Sequence, residues 1–283
     1  MKVSRYNHRI AHDGRLLLFN AYRRGLHDVG ESVYSALDQL EAGAENWDSE
    51  LSDSTRATLV EAGYVIEDDV DEHTTLLAER ESLRLSTEVI GLTIAPTIDC
   101  NFGCPYCFEG AEKPQERMSE QTMSAVVNFA RGLITESTRG LSITWFGGEP
   151  LLGMSQIEQL THRFRSAIVE PMGLHYAASI VTNGYGLTRK IATRLRDLGV
   201  VRTQITLDGT AEYHNQRRFR IGGHPTFDRI VENIVESCDV LRISVRVNVD
   251  EENRESFVPL VKYLQDELGL KGKVSVYPAM LRQ

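Results

Sequence analysis

The sequence predicts an α/β protein: a parallel sheet covered by helices, preceded by a small α+β domain. Three observations carry this reading. From Val89 onward, strand-like and helix-like segments alternate strictly, as in repeated strand–helix–strand units. Polar or glycine-rich clusters follow the ends of successive strands, where the loops of a parallel α/β sheet gather at one rim. Three of the four cysteines fall in the short stretch Cys100–Cys107, spaced C-x3-C-x2-C, directly behind the first strand of that series.

The chain has 283 residues, enough for one barrel domain with an appendage or for two ordinary domains. Apolar residues make up 41%, sufficient for a sizeable core, and the formal net charge is −9. That charge argues against non-specific nucleic-acid binding, which depends on neutralising phosphates with Lys and Arg. The N-terminus leads into polar sequence with no signal-peptide apolar region, and no apolar run reaches spanning length, so no membrane partner is expected. The expected location is the cytoplasm, where reduced thiols suit metal binding better than disulfides.

Residues 1–88 form the first expected domain. Asp13-Gly14 followed by Arg15–Asn20 reads as a hairpin. Glu31–Leu40 has apolar residues at helical spacing with Gly43 beyond its end, and Ser54–Ala62 is a second helix closed by Gly63. A short strand Tyr64–Ile66 follows, and the acidic run Glu67–Glu72 reads as a solvated turn or wing. Residues 73–88 read as a helical connector.

The second domain spans residues 89–283. Its strand candidates are Gly91–Pro96, Leu141–Phe146, Ala178–Thr182, Val201–Leu207, Leu241–Val249 and Val274–Tyr277. Between them lie helices with readable signals. Met123, Val126, Val127, Ala130 and Ile134 make one apolar stripe. Ser155-Gln156-Ile157-Glu158 reads as a capping box opening the next helix, whose stripe continues through Leu160, Phe164 and Ile168. Ile191, Leu195 and Leu198 end at Gly199, and helices around Ile230–Ile234 and Phe257–Leu268 follow, the last closed by Gly269.

The rim clusters carry the candidate chemistry. The cysteine loop follows the first strand, Gly147-Gly148-Glu149-Pro150 the second, Asn183-Gly184 the third, Asp208-Gly209 the fourth, and Asn248 with Asp250 the fifth. Closely spaced thiolates converge on an iron–sulfur cluster, and three ligands leave one iron of a [4Fe–4S] cube with an open position. The same spacing also fits a zinc knuckle or a redox-sensing thiol cluster. Gly147 and Gly148 lack side chains, so backbone can approach a ligand there. Asp208 reads either as an acid–base or substrate-contacting group or as a turn residue before glycine. His214 and Arg218 read as loop anchors, and Cys238, near a helix end, as a packing thiol.

Cys100, Cys104 and Cys107, with Tyr106 directly before the third cysteine, resemble the signature of the radical S-adenosylmethionine (SAM) enzymes. The resemblance implies a partial (β/α)6 barrel, a [4Fe–4S] cluster on the three cysteines, and SAM on the open iron. It implies reductive cleavage of SAM to a 5'-deoxyadenosyl radical, with an electron donor such as flavodoxin or ferredoxin. It further implies that Glu149 accepts from the SAM amino group, that Tyr106 lies against the adenine, and that Thr206 contacts SAM. Tyr106 read on its own terms simply packs the loop, and Thr206 suits any strand. Thr182-Asn183-Gly184 and Thr206-Leu207-Asp208-Gly209, with His214 and Arg218, resemble the peptide-modifying branch that includes anaerobic sulfatase-maturing enzymes. That branch implies a precursor peptide or protein as substrate and adds Asn183 to the cofactor-binding set. Asn215 stands where it has Asp. The branch continues into a cysteine-rich SPASM or twitch domain, so a chain stopping at Met280-Leu281-Arg282-Gln283 is expected to be truncated after its sixth strand, the alternative being an enzyme that works with the SAM cluster alone. Residues 1–88 resemble the winged-helix element that recognises precursor peptides by strand addition; a structural cap is the alternative. Outside that branch stand a truncated non-catalytic peptide-binding remnant and an enzyme acting on a small-molecule cofactor precursor.

Overall fold

The computed structural model describes residues 1–107, 109–110 and 114–281. Arg282 and Gln283, which belong to a stretch singled out above, lie outside the described residues. Two compact units divide the chain, Met1–Ser86 and Thr87–Gln283.

In the first unit, β1 (Lys2–Val3) is followed by β2 (Asn7–His12), β3 (Arg15–Asn20) and β4 (Gly25–Val29). The last three form an antiparallel sheet in that order. Asp13 and Gly14 both take positive φ, 49° and 72°, which matches the right-handed twist of a two-residue hairpin. Helices α1 (Glu31–Glu41) and α2 (Asp53–Glu61) lead to β5 (Val65–Ile66), which pairs antiparallel with β1, and then to α3 (Glu72–Leu85). Leu18, Leu37, Tyr64 and Val65 are fully buried at the centre of this unit. The acidic run is an exposed turn as far as Val70, as its charge suggests, but its last two residues are engaged. Asp71 caps α3, accepting from the His73 and Thr74 amides, where helix N-terminal donors favour a carboxylate. Glu72 is buried and accepts from Ser4 Oγ at 2.6 Å and from the Arg5 amide at 2.9 Å.

The second unit is a six-stranded parallel sheet in sequential order. Its strands are β6 (Val89–Ile94), β7 (Gly140–Trp145), β8 (His175–Thr182), β9 (Val200–Thr206), β10 (Arg242–Val249) and β11 (Val274–Met280). Such an order, with a helix between successive strands, is that of a partial (β/α)6 barrel. β11 runs further than Tyr277 because its register with β10 continues to Val249↔Met280. Pro278 is tolerated there, since an edge strand has one side without ladder bonds.

The intervening helices are α4 (Glu120–Gly132), α5 (Met154–Phe164), α6 (Glu170–Met172), α7 (Arg189–Asp197), α8 (Ala211–Arg217), α9 (Phe227–Ser237) and α10 (Phe257–Lys262). Ser119 and Thr188 cap α4 and α7 through their side chains, contacts worth about 1 kcal/mol each. Ile143, Trp145, Ile157, Leu160, Phe164, Ile180, Leu195, Ile205 and Ile234 fill the core between sheet and helices. One expectation fails here: Ser155 does not cap its helix. Pro150 opens a 3-10 turn over Pro150–Gly153 that runs directly into α5, so Ser155 lies inside the helix. Ser155 Oγ instead accepts from Gln159 Nε2 at 3.1 Å, and Glu158 pairs with Arg194. Among the described residues no helix is long and apolar enough to cross a membrane.

Candidate functional site

The cysteines sit on the long segment between β6 and α4, at the C-terminal rim of the sheet. Its two ends are tied together. Met118 N donates to Pro96 O at 3.0 Å, and Thr97 Oγ1 donates to Glu116 O at 2.6 Å. Thr97 Oγ1 also accepts from the Asp99 amide at 3.1 Å, turning the chain into the cysteine stretch.

The bend after β7 packs directly on that stretch. Gly148 N donates to Thr97 O at 3.4 Å and Glu149 N to Asp99 O at 2.8 Å. A Cβ on Gly148 would stand 2.2 Å from Asp99 O, and one on Gly147 2.5 Å from Thr97 O. Gly147 also holds φ at 108°, a region that L side chains rarely adopt. Both glycines are thus required by the close approach of two backbone segments, as well as lining the cavity described below.

Glu149 is engaged by groups of the protein itself. Its carboxylate is 1% exposed, and both oxygens are occupied. Oε1 accepts from Thr182 Oγ1 at 2.6 Å and from Leu151 N at 3.0 Å, while Oε2 accepts from Asn183 N at 2.7 Å. The side chain therefore ties the end of β7 to the end of β8. Burial pushes its pKa up, against the pull of those three hydrogen bonds. Asn183, held in this way, donates from Nδ2 to Asn101 Oδ1 at 2.7 Å, joining the third rim loop to the cysteine loop.

A polar network occupies the other side. The Tyr106 hydroxyl donates to Asp208 Oδ2. It accepts from Arg218 Nη1 at 2.8 Å and more distantly from Asn248 Nδ2 at 3.4 Å. Arg217 lies over the Tyr106 ring, 5.5 Å from its centroid, and forms a two-pronged pair with Asp250 at 2.9 and 2.6 Å. The Asp250 carboxyl is held below its usual value by that guanidinium. Burial, with Asp208 nearby, raises the Tyr106 phenol. Asp208 is fully buried, and its Oδ1 has no hydrogen-bond partner among the described residues. Behind it, the Asp208 amide donates to His214 Nδ1 at 3.2 Å, so Nε2 carries the proton toward Thr226 Oγ1, 3.0 Å away. Burial, with Arg218 adding to it, holds His214 well below the ordinary imidazole value.

The two faces enclose a cavity of about 650 Å³, within the range of small-molecule sites. Cys100, Cys104, Tyr106, Gly147, Gly148, Asn183, Thr206, Arg218 and Asn248 all contribute to its wall, with Phe102, Gln204 and Arg246. Glu149 and Asp208 are not part of that wall. Cys107 follows in the same loop, its amide donating to Cys104 O at 3.2 Å. Cys238 stands apart at the C-terminal cap of α9, its thiol 3.4 Å from Val235 O. Asn215 accepts from the Thr226 and Phe227 amides at 2.9 and 3.0 Å, a cap for α9 that either Asn or Asp can provide.

Arg217, Arg246 and Gln204 also take part in the site, although no local motif marks them. The available signal is the alternation of Gln204, Thr206, Arg246 and Asn248 with the core residues Ile205, Val245 and Val247 near the ends of β9 and β10. Among the described residues, no three His, Cys, Asp or Glu side chains converge on a point that could hold one metal ion. Thiolates of a cluster meet a different requirement, because each binds its own iron.

Comparison with known proteins bears on family and fold. The sequence matches the Radical SAM superfamily over residues 94–264. It is 25% identical over 258 residues to the radical SAM cyclopropyl synthase TigE of Paramaledivibacter caminithermalis, covering 81% of this chain and 52% of that protein. It is 32% identical over 162 residues to a probable GTP 3',8-cyclase of Archaeoglobus fulgidus, covering 57% of this chain and 49% of that one. In fold it resembles native anSMEcpe with bound AdoMet and Cp18Cys peptide, at TM-score 0.57 and 22% identity, covering 68% of this chain and 51% of that one. The chain spans about half the length of these relatives. Members of the matched superfamily use a [4Fe–4S] cluster and SAM. With the match running through the cysteine loop, the glycine bend and the strands β7 to β10, this chain belongs to the radical SAM superfamily.

Proposed function

We propose that this chain is a radical SAM enzyme that modifies a side chain of a peptide or protein. Cys100, Cys104 and Cys107 would hold the [4Fe–4S] cluster, and the 650 Å³ cavity would take SAM against Tyr106, Gly147, Gly148, Asn183 and Thr206. The cluster and SAM would supply the radical chemistry. The observation that carries the reading is the shared wall, which has two of the three thiols beside the glycine bend and the ends of β8, β9 and β10. The donor set fits a cluster: three soft thiolate donors on one loop, with one iron left for a small-molecule ligand.

In this reading the protein's own residues orient and enclose. The glycine bend fixes the cysteine loop by backbone contact. Glu149 holds the β7 and β8 loops in register rather than meeting the ligand, and Asn183 and Thr206 present polar atoms to the cavity. Asp208 remains the acid–base candidate only by way of Tyr106, whose hydroxyl it accepts from. The peptide assignment is supported by the fold shared with a protein that binds a Cp18Cys peptide. We place the enzyme in the cytoplasm with a low-potential flavodoxin or ferredoxin as its donor.

A second reading, a small-molecule substrate, is favoured by the similarity to the GTP 3',8-cyclase. Anaerobic reconstitution followed by mass spectrometry of SAM products separates the two. Release of 5'-deoxyadenosine stimulated by a candidate precursor peptide supports the first, and stimulation by a nucleotide supports the second. No SAM cleavage under any condition would overturn both.

A further inference from the structure

The segment after α8 has a role that rim position alone does not suggest. Gly103 N donates to Phe219 O at 2.9 Å and Ile221 N donates to Asn101 O at 3.0 Å, so residues 219–221 pair antiparallel with the cysteine loop across the Phe102↔Arg220 bridge. Gly103 sits so close to this segment that an added Cβ would be 3.1 Å from the Phe219 ring. The loop is thereby held on both sides, by the glycine bend at Thr97–Asp99 and by this strap at Asn101–Gly103. Arg218 begins the strap. Its guanidinium donates to the Tyr106 hydroxyl at 2.8 Å, lies 5.8 Å from the Phe102 ring centroid and lines the cavity beside Cys104.

We propose that Arg218 is a positioning residue, which sets the cysteine loop by fastening the Tyr106 hydroxyl to the strap that pairs with Asn101–Gly103. The inference rests on the cluster-binding reading above but concerns a residue outside the ligand set. Tyr106 lies between Cys104 and Cys107, so a group that fixes its hydroxyl fixes the loop between two thiols. Arg218 is suited to this because its planar fork reaches the hydroxyl while its face covers Phe102. Asp208 on the same hydroxyl, with Arg217 between Asp208 and Asp250, alternates the charges along the network.

The test uses the full chain as wild type, Arg218→Gln, Arg218→Lys, Tyr106→Phe and the Arg218→Gln/Tyr106→Phe double variant. After anaerobic reconstitution, iron per chain and the rate of iron loss to a ferrous chelator are measured. Hydrogen exchange of the Gly103 and Ile221 amides is followed in the metal-free protein. Arg218→Gln is expected to lose iron about tenfold faster than wild type, the scale of one charge-assisted hydrogen bond. Arg218→Lys is expected to recover part of that loss, and the double variant to be no faster than Tyr106→Phe. Exchange at Gly103 and Ile221 should quicken in the metal-free Arg218→Gln protein. Iron release and exchange unchanged in Arg218→Gln would overturn the proposal, as would independent, additive effects of the two single variants. If wild type takes up no cluster at all, the functional reading fails together with this one. If wild type loads and Arg218→Gln matches it, this one fails alone.

Discussion

Gly148→Ala tests whether the bend after β7 and the cysteine loop are one packed unit. The new methyl would stand 2.2 Å from Asp99 O and 2.6 Å from Ile98 O, both backbone atoms that no side-chain rotation can clear. Relief requires the two segments to separate, which removes the 2.8 Å bond from Glu149 N to Asp99 O. Overpacking of this kind costs about 1–3 kcal/mol and the hydrogen bond about 1 more, together about 2–4 kcal/mol. Against a total stability of about 5–15 kcal/mol, that lowers a urea midpoint by about 1 M. Gly132→Ala is the matched control. It ends α4, an added Cβ meets nothing within 4 Å, and alanine is the better helix former. Urea unfolding of the metal-free proteins and iron content after reconstitution give the two readouts. Gly148→Ala should lose stability and iron together, while Gly132→Ala should match or exceed wild type in both. A Gly148→Ala protein as stable and as iron-loaded as Gly132→Ala would refute the packing argument.

Three further expectations follow from the same geometry. Glu149→Gln places an amide NH2 where the carboxylate accepts from Thr182, Leu151 and Asn183, so it should cost about 1–3 kcal/mol in urea unfolding despite removing a buried charge. Asn215→Ala removes the acceptor for two amides at the start of α9 and should cost about 1–2 kcal/mol, whereas Asn215→Asp should stay within a few tenths of wild type. For His214 the folded-state pKa lies well below the unfolded value of 6.5, so the unfolded chain binds the extra proton. Stability should therefore fall as pH drops below 6.5, by about 1.4 kcal/mol per pH unit from this group, until the folded value is reached. His214→Gln should flatten the pH dependence of urea midpoints by that amount. Parallel curves for the two proteins would show that His214 does not carry it.

What could be read from the sequence depended on range. The six strands of the second unit were legible because each is a local alternation flanked by turn residues, and their C-terminal ends mark a rim by simple counting. The hairpin at Asp13-Gly14 and the helix stops at Gly63, Gly199 and Gly269 were legible for the same reason. Patterns failed where a neighbouring signal outranked them. Ser155–Glu158 has the form of a capping box, but Pro150 starts the helical run upstream and encloses it. Glu72 belongs to a charged run, yet Ser4 and Arg5 arrive from the other end of the unit to bury it. The most consequential contacts join positions far apart in sequence. Glu149 with Asn183, Tyr106 with Asp208 and Arg218, and Gly103 with Phe219 have no local signature, so the motifs named the participants without revealing which atoms they occupy.

The proposed cluster on the three cysteines presents a site to SAM within the cavity. This is tested most directly by electron paramagnetic resonance of the reduced, reconstituted chain with and without SAM. The expected result is a [4Fe–4S]+ signal whose g-values shift when SAM is added, and loss of that signal in Cys104→Ala but not in Cys238→Ala. A reduced-cluster spectrum indifferent to SAM, or one that survives removal of Cys104, would contradict it.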